Sequence, residues 1–268
     1  MRLSLAPIAA AGIALSVAIE LALPTTVRAL PDLGGVELSI ASETTYSPFE
    51  FANAQGEIVG FDVDLLEAIC DRLNCTATFV SAEFEGIFSA LAAGQYDAIA
   101  SATTITRERS RVVDFTRPYL NAGQIVTVRV ESDIVGPADL TGKAVGVQLG
   151  TVGDMEAGIY TDEIDVRRYS SIEQALAALA RGDVEAVIAD APTAGYIVAR
   201  QFADRLKLVG KLFTVEYYGI ALRKETPEMT EAMSAAIAQL AADGTLAQIA
   251  KAWGIPAIAV MDLPESGL

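Results

Sequence analysis

Two stretches of the chain resemble each other, and this likeness constrains the fold more than any other feature. LAAGQYDAIASA spans residues 91–102, and LARGDVEAVIAD spans residues 179–190. Each pattern predicts a helix that ends at a glycine C-cap and is followed by a buried strand. The repetition favours two similar α/β lobes, although helix-glycine-strand junctions also recur within a single α/β domain.

Strand and helix patterns alternate along the rest of the chain. The stretch GFDVDLLEAICDRL carries apolar residues at helical spacing, and Asp62 is predicted to be the N-cap of that helix. Other strands are predicted over residues 36–42, 76–82, 96–102, 143–150 and 184–190, and other helices over 84–94, 171–182 and, as a pair, 226–254. This alternation predicts an α/β fold with largely parallel strands.

The composition excludes several classes of function. The chain has 268 residues and a formal net charge of −16 at pH 7. Nucleic acid is therefore not expected as a partner, because phosphate contacts need clustered Lys and Arg. The absence of histidine excludes His-based metal sites and Ser-His or Cys-His nucleophile pairs. We expect neither a metal site nor a cofactor.

Residues 1–29 are predicted to be a cleavable signal peptide. Arg2 provides the basic start, an apolar run follows, and Val27 and Ala29 form a small-x-small cleavage pattern. The alternative is a transmembrane anchor, but Glu20 interrupts the apolar run. We therefore expect export to the periplasm.

Cys70 and Cys75 lie close together in the stretch ICDRLNCTATF. In an exported protein such a pair predicts a disulfide, which here would join the end of a helix to the next strand. The alternative is a pair of buried free thiols.

Polar residues follow the strands of the two similar stretches. The first strand leads into Ser101, Ala102 and Thr104 and then into arginines that include Arg109, whereas the second strand ends on Asp190. Ligands of parallel sheets bind outside the carboxyl ends of the strands. If the two lobes face each other, Thr104, Arg109 and Asp190 converge on one cleft.

Several motifs together resemble one known family. They are SIASETTYSPFEF, GEIVGFDVDLLEAI, FEGIFSALAAGQYDAIASATTITRERSRVVDFTRPY, GKAVGVQLGT and YYGIAL. Over about residues 36 to 255 the chain resembles the periplasmic polar amino-acid-binding proteins of bacterial ABC importers, solute-binding protein family 3. Within this family it is similar to three kinds of member: those that bind lysine, arginine and ornithine, those that bind arginine, and those that bind glutamine.

The resemblance implies a type II periplasmic-binding-protein fold. In that fold two α/β lobes, each with a mostly parallel sheet flanked by helices, close over one ligand. Lobe 1 would comprise residues 36–122 and 217–260, and lobe 2 would comprise residues 125–214. The crossovers near Asn121–Ile125 and Thr214–Tyr218 would be the two hinges.

The resemblance also implies how the backbone of an amino-acid ligand is bound. Arg109 would bind the α-carboxylate, since a planar guanidinium matches a carboxylate with two hydrogen bonds. The neighbouring Arg107 and Arg111 are expected to be solvated. Asp190 would bind the α-ammonium; its alternative is to cap the helix that follows.

Four further residues would complete the binding of the ligand's backbone. Thr104 would meet either the α-carboxylate or the α-ammonium with its hydroxyl. Ser101 and Ala102 supply backbone groups, and Ala102 stands where Gly or Ser is more usual. Thr151 and Val152 would offer amides to the carboxylate at a helix N-terminus.

The remaining implied contacts concern the ligand's side chain. Tyr46 and Phe84 match aromatic positions that flank it, with a role in the core as their alternative. Glu43 stands at a position that is usually acidic in binders of cationic or amide amino acids, and Gln148 at a position that differs between specificities. We expect a polar L-amino acid, with arginine, lysine and ornithine ahead of glutamine.

The predicted activity is binding rather than catalysis, by a monomer that docks transiently on a membrane ABC permease. Two alternatives stay open. Cyclohexadienyl dehydratases resemble this family and need a general acid, for which Glu43 is a candidate. Sensor domains are built from the same lobes.

Overall fold

The computed structural model describes residues 29–159 and 162–268. The predicted signal peptide lies outside this part of the chain, apart from Ala29. The strands are β1 (Val36–Ser42), β2 (Thr45–Tyr46), β3 (Glu50–Ala52), β4 (Ile58–Val59), β5 (Cys75–Ser81), β6 (Ala98–Ile99), β7 (Asp114–Phe115), β8 (Leu120–Ala122), β9 (Gln124–Arg129), β10 (Ala144–Gln148), β11 (Asp165–Tyr169), β12 (Ala186–Asp190), β13 (Leu206–Val209), β14 (Glu216–Tyr218) and β15 (Ala221–Leu222). The α-helices are α1 (Phe61–Leu73), α2 (Ile87–Ala92), α3 (Val152–Ile159), α4 (Ile172–Arg181), α5 (Ala191–Gln201), α6 (Pro227–Ala242) and α7 (Thr245–Ala252). Among the described helices, not one has both the length and the apolar character needed to cross a bilayer.

Two five-stranded sheets form the centres of two lobes. The strand order is β5-β1-β6-β15-β7 in the first sheet and β11-β10-β12-β9-β13 in the second. In both sheets the first three strands run parallel, and the fourth strand pairs antiparallel with the strand on either side of it. The predicted two-lobed α/β fold is confirmed, whereas the lobe limits at 36–122, 217–260 and 125–214 stay predictions.

The two similar stretches occupy the same place in the two sheets. β6 is the third strand of the first sheet, and β12 is the third strand of the second. Each follows a helix and a glycine in the left-handed region, Gly94 at φ 76° and Gly182 at φ 87°. β6 is shorter than the predicted strand 96–102, because the chain leaves the sheet and reaches φ 42° at Ala102.

Helix α1 begins one residue before the predicted N-cap, so the prediction for Asp62 was wrong. The carbonyl of Gly60 already accepts a hydrogen bond from the Asp64 amide at 3.0 Å, which places Asp62 inside the first turn. The fully buried Asp62 carboxylate instead accepts hydrogen bonds from the Ala102 amide at 2.7 Å and the Tyr119 hydroxyl at 2.9 Å. Asp62 therefore links α1 to the segment that follows β6.

Cys70 and Cys75 form a disulfide, as predicted. Their Cα atoms are 4.5 Å apart, and the bond joins the last turn of α1 to the first residue of β5. The apolar face of α1 is buried beside it, with Leu66, Ile69 and Leu73 at 0% exposure. The bond thus adds a covalent link to a helix-strand junction that is already packed.

Two short strands connect the lobes. β8 and β14 pair antiparallel, with Ala122 opposite Glu216. Beyond β8 the chain enters the second sheet at Gln124, and a Cβ atom on the intervening Gly123 would lie 2.5 Å from the Thr214 carbonyl oxygen. The two crossovers therefore touch at a point where only glycine fits, and this point lies within the predicted hinge segments.

Candidate functional site

A pocket between the two lobes is lined by all the ligand-binding residues predicted from the sequence. The pocket is nearly closed, with a cavity volume of only ≈ 10 Å³. The lining residues are Glu43, Tyr46, Phe84, Ser101, Ala102, Thr104, Arg109, Gln148, Thr151, Val152 and Asp190. The first seven come from lobe 1 and the last four from lobe 2.

Arg109 forms one end of the pocket and is 4% exposed. Its guanidinium donates hydrogen bonds to the carbonyl oxygens of Thr104 at 2.8 Å and Gly150 at 3.1 Å. It also stacks on two rings, with 5.3 Å to the centre of Phe84 and 4.7 Å to that of Phe88. Burial lowers the pKa of Arg109 to about 10, so the side chain is still cationic at neutral pH. A rigid, desolvated cation of this kind suits a carboxylate.

The three neighbouring arginines separate as predicted. Arg107 and Arg111 are exposed, whereas Arg109 points into the pocket. The Thr106 hydroxyl oxygen accepts a hydrogen bond from the Arg109 amide at 3.1 Å, at the start of the short 3₁₀ turn Arg109–Arg111. Arg109 is thus the buried member of the three arginines.

The floor of the pocket is the segment that follows β6. The Ser101 hydroxyl donates to the buried Glu50 carboxylate at 2.8 Å and accepts from the Glu43 amide at 3.0 Å. The Ala102 amide points away from the pocket to Asp62. Its φ of 42° is a left-handed conformation that costs an alanine about 1–2 kcal/mol, and the Asp62 bond compensates for this strain.

Asp190 forms the lobe 2 wall of the pocket and is 7% exposed. It precedes α5 but makes no side-chain capping bond to it, which goes against the capping alternative. Its carboxylate instead accepts hydrogen bonds from the Tyr46 hydroxyl and from Nε2 of Gln124. Burial raises the pKa of Asp190 to about 7, and the nearby Glu216 carboxylate adds to the rise. This carboxylate needs a cation to offset its desolvation.

Glu43 and Gln148 meet at the other end of the pocket. Glu43 is 5% exposed, and its carboxylate accepts from Nε2 of Gln148 at 2.8 Å and from the Thr45 hydroxyl. Burial raises the pKa of Glu43. Oε1 of Gln148 has no hydrogen-bond partner among the described residues. This end combines a desolvated acid with an unsatisfied amide oxygen, both suited to a donor.

Thr151 and Val152 lie at the beginning of α3. The Thr151 hydroxyl donates to the Gln148 carbonyl at 2.8 Å and accepts from the Asp154 amide at 3.3 Å, so it caps the helix. The Thr151 hydroxyl therefore already makes two hydrogen bonds within the protein. The Thr151 amide, predicted to bind the carboxylate, already donates to the Gln148 carbonyl at 3.4 Å. The positive end of the α3 backbone can still attract an anion beside Arg109.

Two residues that sequence reasoning missed complete the polar surroundings of the pocket. Gln124 and Glu216 are 1% and 4% exposed, and each begins a strand at a crossover. Both fall in the segments predicted as hinges. The available signal was a polar residue at the first position of each of these strands, since a buried polar group usually has a specific partner.

Three polar contacts hold the lobes together across the pocket. Gln148 donates to Glu43, Tyr46 donates to Asp190, and Arg109 donates to the carbonyl of Gly150. Each contact joins one lobe to the other. The charged members of these contacts are two carboxylate acceptors, Glu43 and Asp190, and one cationic donor, Arg109. An amino acid with a polar side chain can pair with all three.

Comparison with known proteins identifies the family. The family model of bacterial extracellular solute-binding proteins, family 3, matches residues 38–256. The histidine-binding periplasmic protein of Salmonella typhimurium is 33% identical over 249 residues, which cover 89% of this chain and 95% of that protein. The L-arginine-binding protein of Pseudomonas aeruginosa is 34% identical over 238 residues, with coverages of 85% and 92%.

A solved structure agrees with the sequence matches. An ancestral arginine-binding protein bound to arginine has 36% identity and a TM-score of 0.78, covering 81% of this chain and 97% of that chain. These relatives are amino-acid-binding proteins, and the match runs through both lobes. The chain belongs to the bacterial extracellular solute-binding proteins of family 3.

Proposed function

We propose that this protein captures a cationic L-amino acid, namely arginine, lysine or ornithine, and delivers it to an ABC permease. The observation that carries the proposal is the set of three contacts across the pocket. Each can be exchanged for a contact to one group of such a ligand. Glutamine is the next candidate, because its amide could also donate to Glu43.

In the proposed complex, groups of the ligand replace the present partners of three pocket residues. The ligand's α-carboxylate replaces the Gly150 carbonyl on Arg109, and its α-ammonium replaces the Tyr46 hydroxyl on Asp190. The ligand's side-chain cation replaces the Gln148 amide on Glu43. The three charged side chains, Arg109, Asp190 and Glu43, then each keep a partner, which is the condition for burying a charge at low cost.

Charge balance favours a cationic side chain. Glu43 and Asp190 are two acids in the pocket lining, and Arg109 is the one base in it. A zwitterion with an additional positive charge neutralises this set, whereas an acidic amino acid adds a further buried negative charge. Unpaired buried charges are expensive, so aspartate and glutamate are disfavoured.

Binding is proposed to favour closure of the lobes. A ligand that contacts Arg109 in lobe 1 and Asp190 in lobe 2 interacts fully only with the closed arrangement and shifts the population toward it. The paired crossover strands β8 and β14 would act as the hinge. After removal of the signal peptide, the closed monomer would dock on its permease from the periplasmic side, where relatives such as the histidine-binding protein are named as residing.

A thermal-shift screen of the purified mature protein against the twenty common amino acids and ornithine tests the proposal. A ligand that binds only the native state raises the melting temperature. We expect the largest increases with arginine, lysine and ornithine. A response to aspartate or glutamate alone, or no response to any amino acid, would contradict it.

The pH dependence of binding follows from Asp190. Its pKa of about 7 means that the free protein increasingly holds a proton there below neutrality, and an α-ammonium must displace that proton. The dissociation constant for arginine is therefore expected to rise about 10- to 30-fold between about pH 8 and about pH 5.5. Calorimetric titration at both pH values measures it, and a constant affinity would contradict the assignment.

The stability of the ligand-free protein is expected to change in the opposite direction. Burial raises the pKa values of both Asp190 and Asp62 to about 7, above those of an unfolded chain. The native state then binds more protons between about pH 4 and pH 7, so stability is lost as the pH rises through that window. The melting temperature should be higher at about pH 5.5 than at about pH 8.

Replacing Glu43 with Gln tests the specificity of the distal end. Glu43→Gln removes the charge opposite the ligand's cation, so arginine affinity is expected to fall about 30- to 100-fold, while glutamine affinity changes less than about threefold. Calorimetry with both ligands measures the ratio. Glu83→Gln, at an exposed neighbouring site, is the matched control; equal losses for arginine and glutamine would refute this role of Glu43.

One observation favours a second candidate, an enzyme that resembles cyclohexadienyl dehydratases. The buried Glu43 carboxyl faces the pocket with a raised pKa, which is a property of a general acid. The relatives compared above are named as binding proteins, which supports binding without turnover. An assay with prephenate separates the two, and sustained release of phenylpyruvate would favour the enzyme.

A further inference from the structure

The side chains of the two crossovers form a network behind the pocket. Gln124 and Glu216 do not line the pocket, but each contacts a residue that does. The Thr214 hydroxyl accepts from the Gln124 amide at 2.7 Å and donates to Oε1 of Glu216 at 2.6 Å. Hydrogen bonds through Thr214 thus link the two crossovers, next to Asp190.

Both hydrogens of the Gln124 side-chain amide have an acceptor. Its Nε2 group donates to Oδ1 of Asp190 and to Oε1 of Glu216, the latter at 2.9 Å. In the proposed ligand-bound state both partners are ionised carboxylates, which only accept, so the amide presents its NH₂ group to them. Gln124 therefore holds an acid of lobe 2 beside an acid of the second crossover.

Glu216 controls the single hydrogen of the Thr104 hydroxyl. Oε2 of Glu216 accepts from Oγ1 of Thr104 at 2.8 Å, and both side chains are buried. A hydroxyl carries one hydrogen and two lone pairs, so Thr104 is left able only to accept from a ligand. A carboxylate also only accepts, and it cannot bind to such an oxygen.

We infer that Glu216 and Gln124 are positioning residues that make this end of the pocket specific for a primary α-ammonium. Glu216 turns the Thr104 hydroxyl into an acceptor, and Gln124 fixes Asp190 next to it. The inference rests on the proposed amino-acid binding and deepens it. It assigns Thr104 to the ammonium, where the sequence left carboxylate and ammonium open.

A pair of ligands that differ only in the α-amino group tests this inference. The ligands are L-arginine and δ-guanidinovalerate, which is arginine without that group, and the variant is Glu216→Gln. A glutamine amide at this position can donate to Thr104 and meets the NH₂ group of Gln124. We expect arginine affinity to fall about 10- to 100-fold and δ-guanidinovalerate affinity to change less than about twofold.

The matched control is Glu225→Gln, the same chemical change at an exposed position, which should alter neither affinity. If Glu216 merely supports the fold, both ligands weaken by the same factor in Glu216→Gln, and the inference is wrong. It is equally wrong if neither affinity changes. If the wild type binds no L-amino acid at all, the proposed function fails instead, which keeps the two failures distinct.

A second pair of variants tests the acceptor role of Thr104 without altering Glu216. Thr104→Val keeps the shape but removes the oxygen, and it should reduce the preference for arginine over δ-guanidinovalerate about tenfold or more. Thr104→Ser keeps the hydroxyl and should retain that preference. An unchanged preference in Thr104→Val would overturn the inference even if Glu216→Gln failed to fold.

Discussion

Replacing Arg109 with alanine is expected to weaken amino-acid binding by about a hundred- to a thousand-fold. The guanidinium is 4% exposed, and in the proposed complex it would pair with the ligand's carboxylate. Truncating one partner of a buried, hydrogen-bonded charge pair costs about 2–5 kcal/mol, because the other charge is left without compensation. Calorimetric titration with arginine measures the loss.

Two further variants separate this effect from general charge and from folding. Arg109→Lys keeps the charge but loses the planar fork and the stacking on Phe84, so an intermediate loss is expected. Arg107→Ala removes an exposed arginine two residues away and should leave the affinity unchanged. Wild-type affinity in a folded Arg109→Ala protein would contradict the proposed site.

Replacing Asp190 with asparagine is expected to cost a comparable amount of affinity, about a hundred-fold. The substitution keeps the size of the side chain but removes the charge that would pair with the α-ammonium. The part of the pH dependence of binding that comes from Asp190 should vanish with it, since that titrating group is gone. Calorimetric titration with arginine at about pH 5.5 and about pH 8 measures both the loss of affinity and its pH dependence.

The same variant makes an opposite prediction for stability. An ionised Asp190 beside Glu216 is unfavourable in the ligand-free protein, as its raised pKa indicates. Asp190→Asn should therefore melt at the same temperature as the wild type or higher at about pH 8, while binding is lost. Asp204→Asn, at an exposed site, serves as the control for both measurements. A binding loss accompanied by unfolding would mean that Asp190 is structural.

The predicted strands and helices were found because hydrophobic period and glycine position set each of them locally, whereas strands such as β9, β13 and β15 were not predicted. The two similar stretches indicated two lobes, and the matching strand orders of the two sheets agree. The prediction for Asp62 failed for a tertiary reason. Its carboxylate contacts Ala102 and Tyr119, which are distant in sequence, and a capping pattern contains no information about such partners.

The site residues were predictable to different degrees. The resemblance to the family pointed to Arg109 and Asp190, and the structure brings both to one pocket. Gln124 and Glu216 were not found, because their hydrogen bonds depend on how the two crossovers meet. The direction of the Thr104 hydroxyl depends on Glu216 in turn. Local patterns identify which polar residues follow a strand, but the proton arrangement between them requires the assembled fold.

A crystal structure of the mature protein grown with L-arginine tests the central claim most directly. The account predicts one arginine between the lobes, with its carboxylate on Arg109, its α-ammonium between Asp190 and the Thr104 oxygen, and its guanidinium on Glu43. The contacts from Gln148 to Glu43 and from Tyr46 to Asp190 should be broken or lengthened. An arginine bound in the reverse orientation, or bound outside this pocket, would contradict the account.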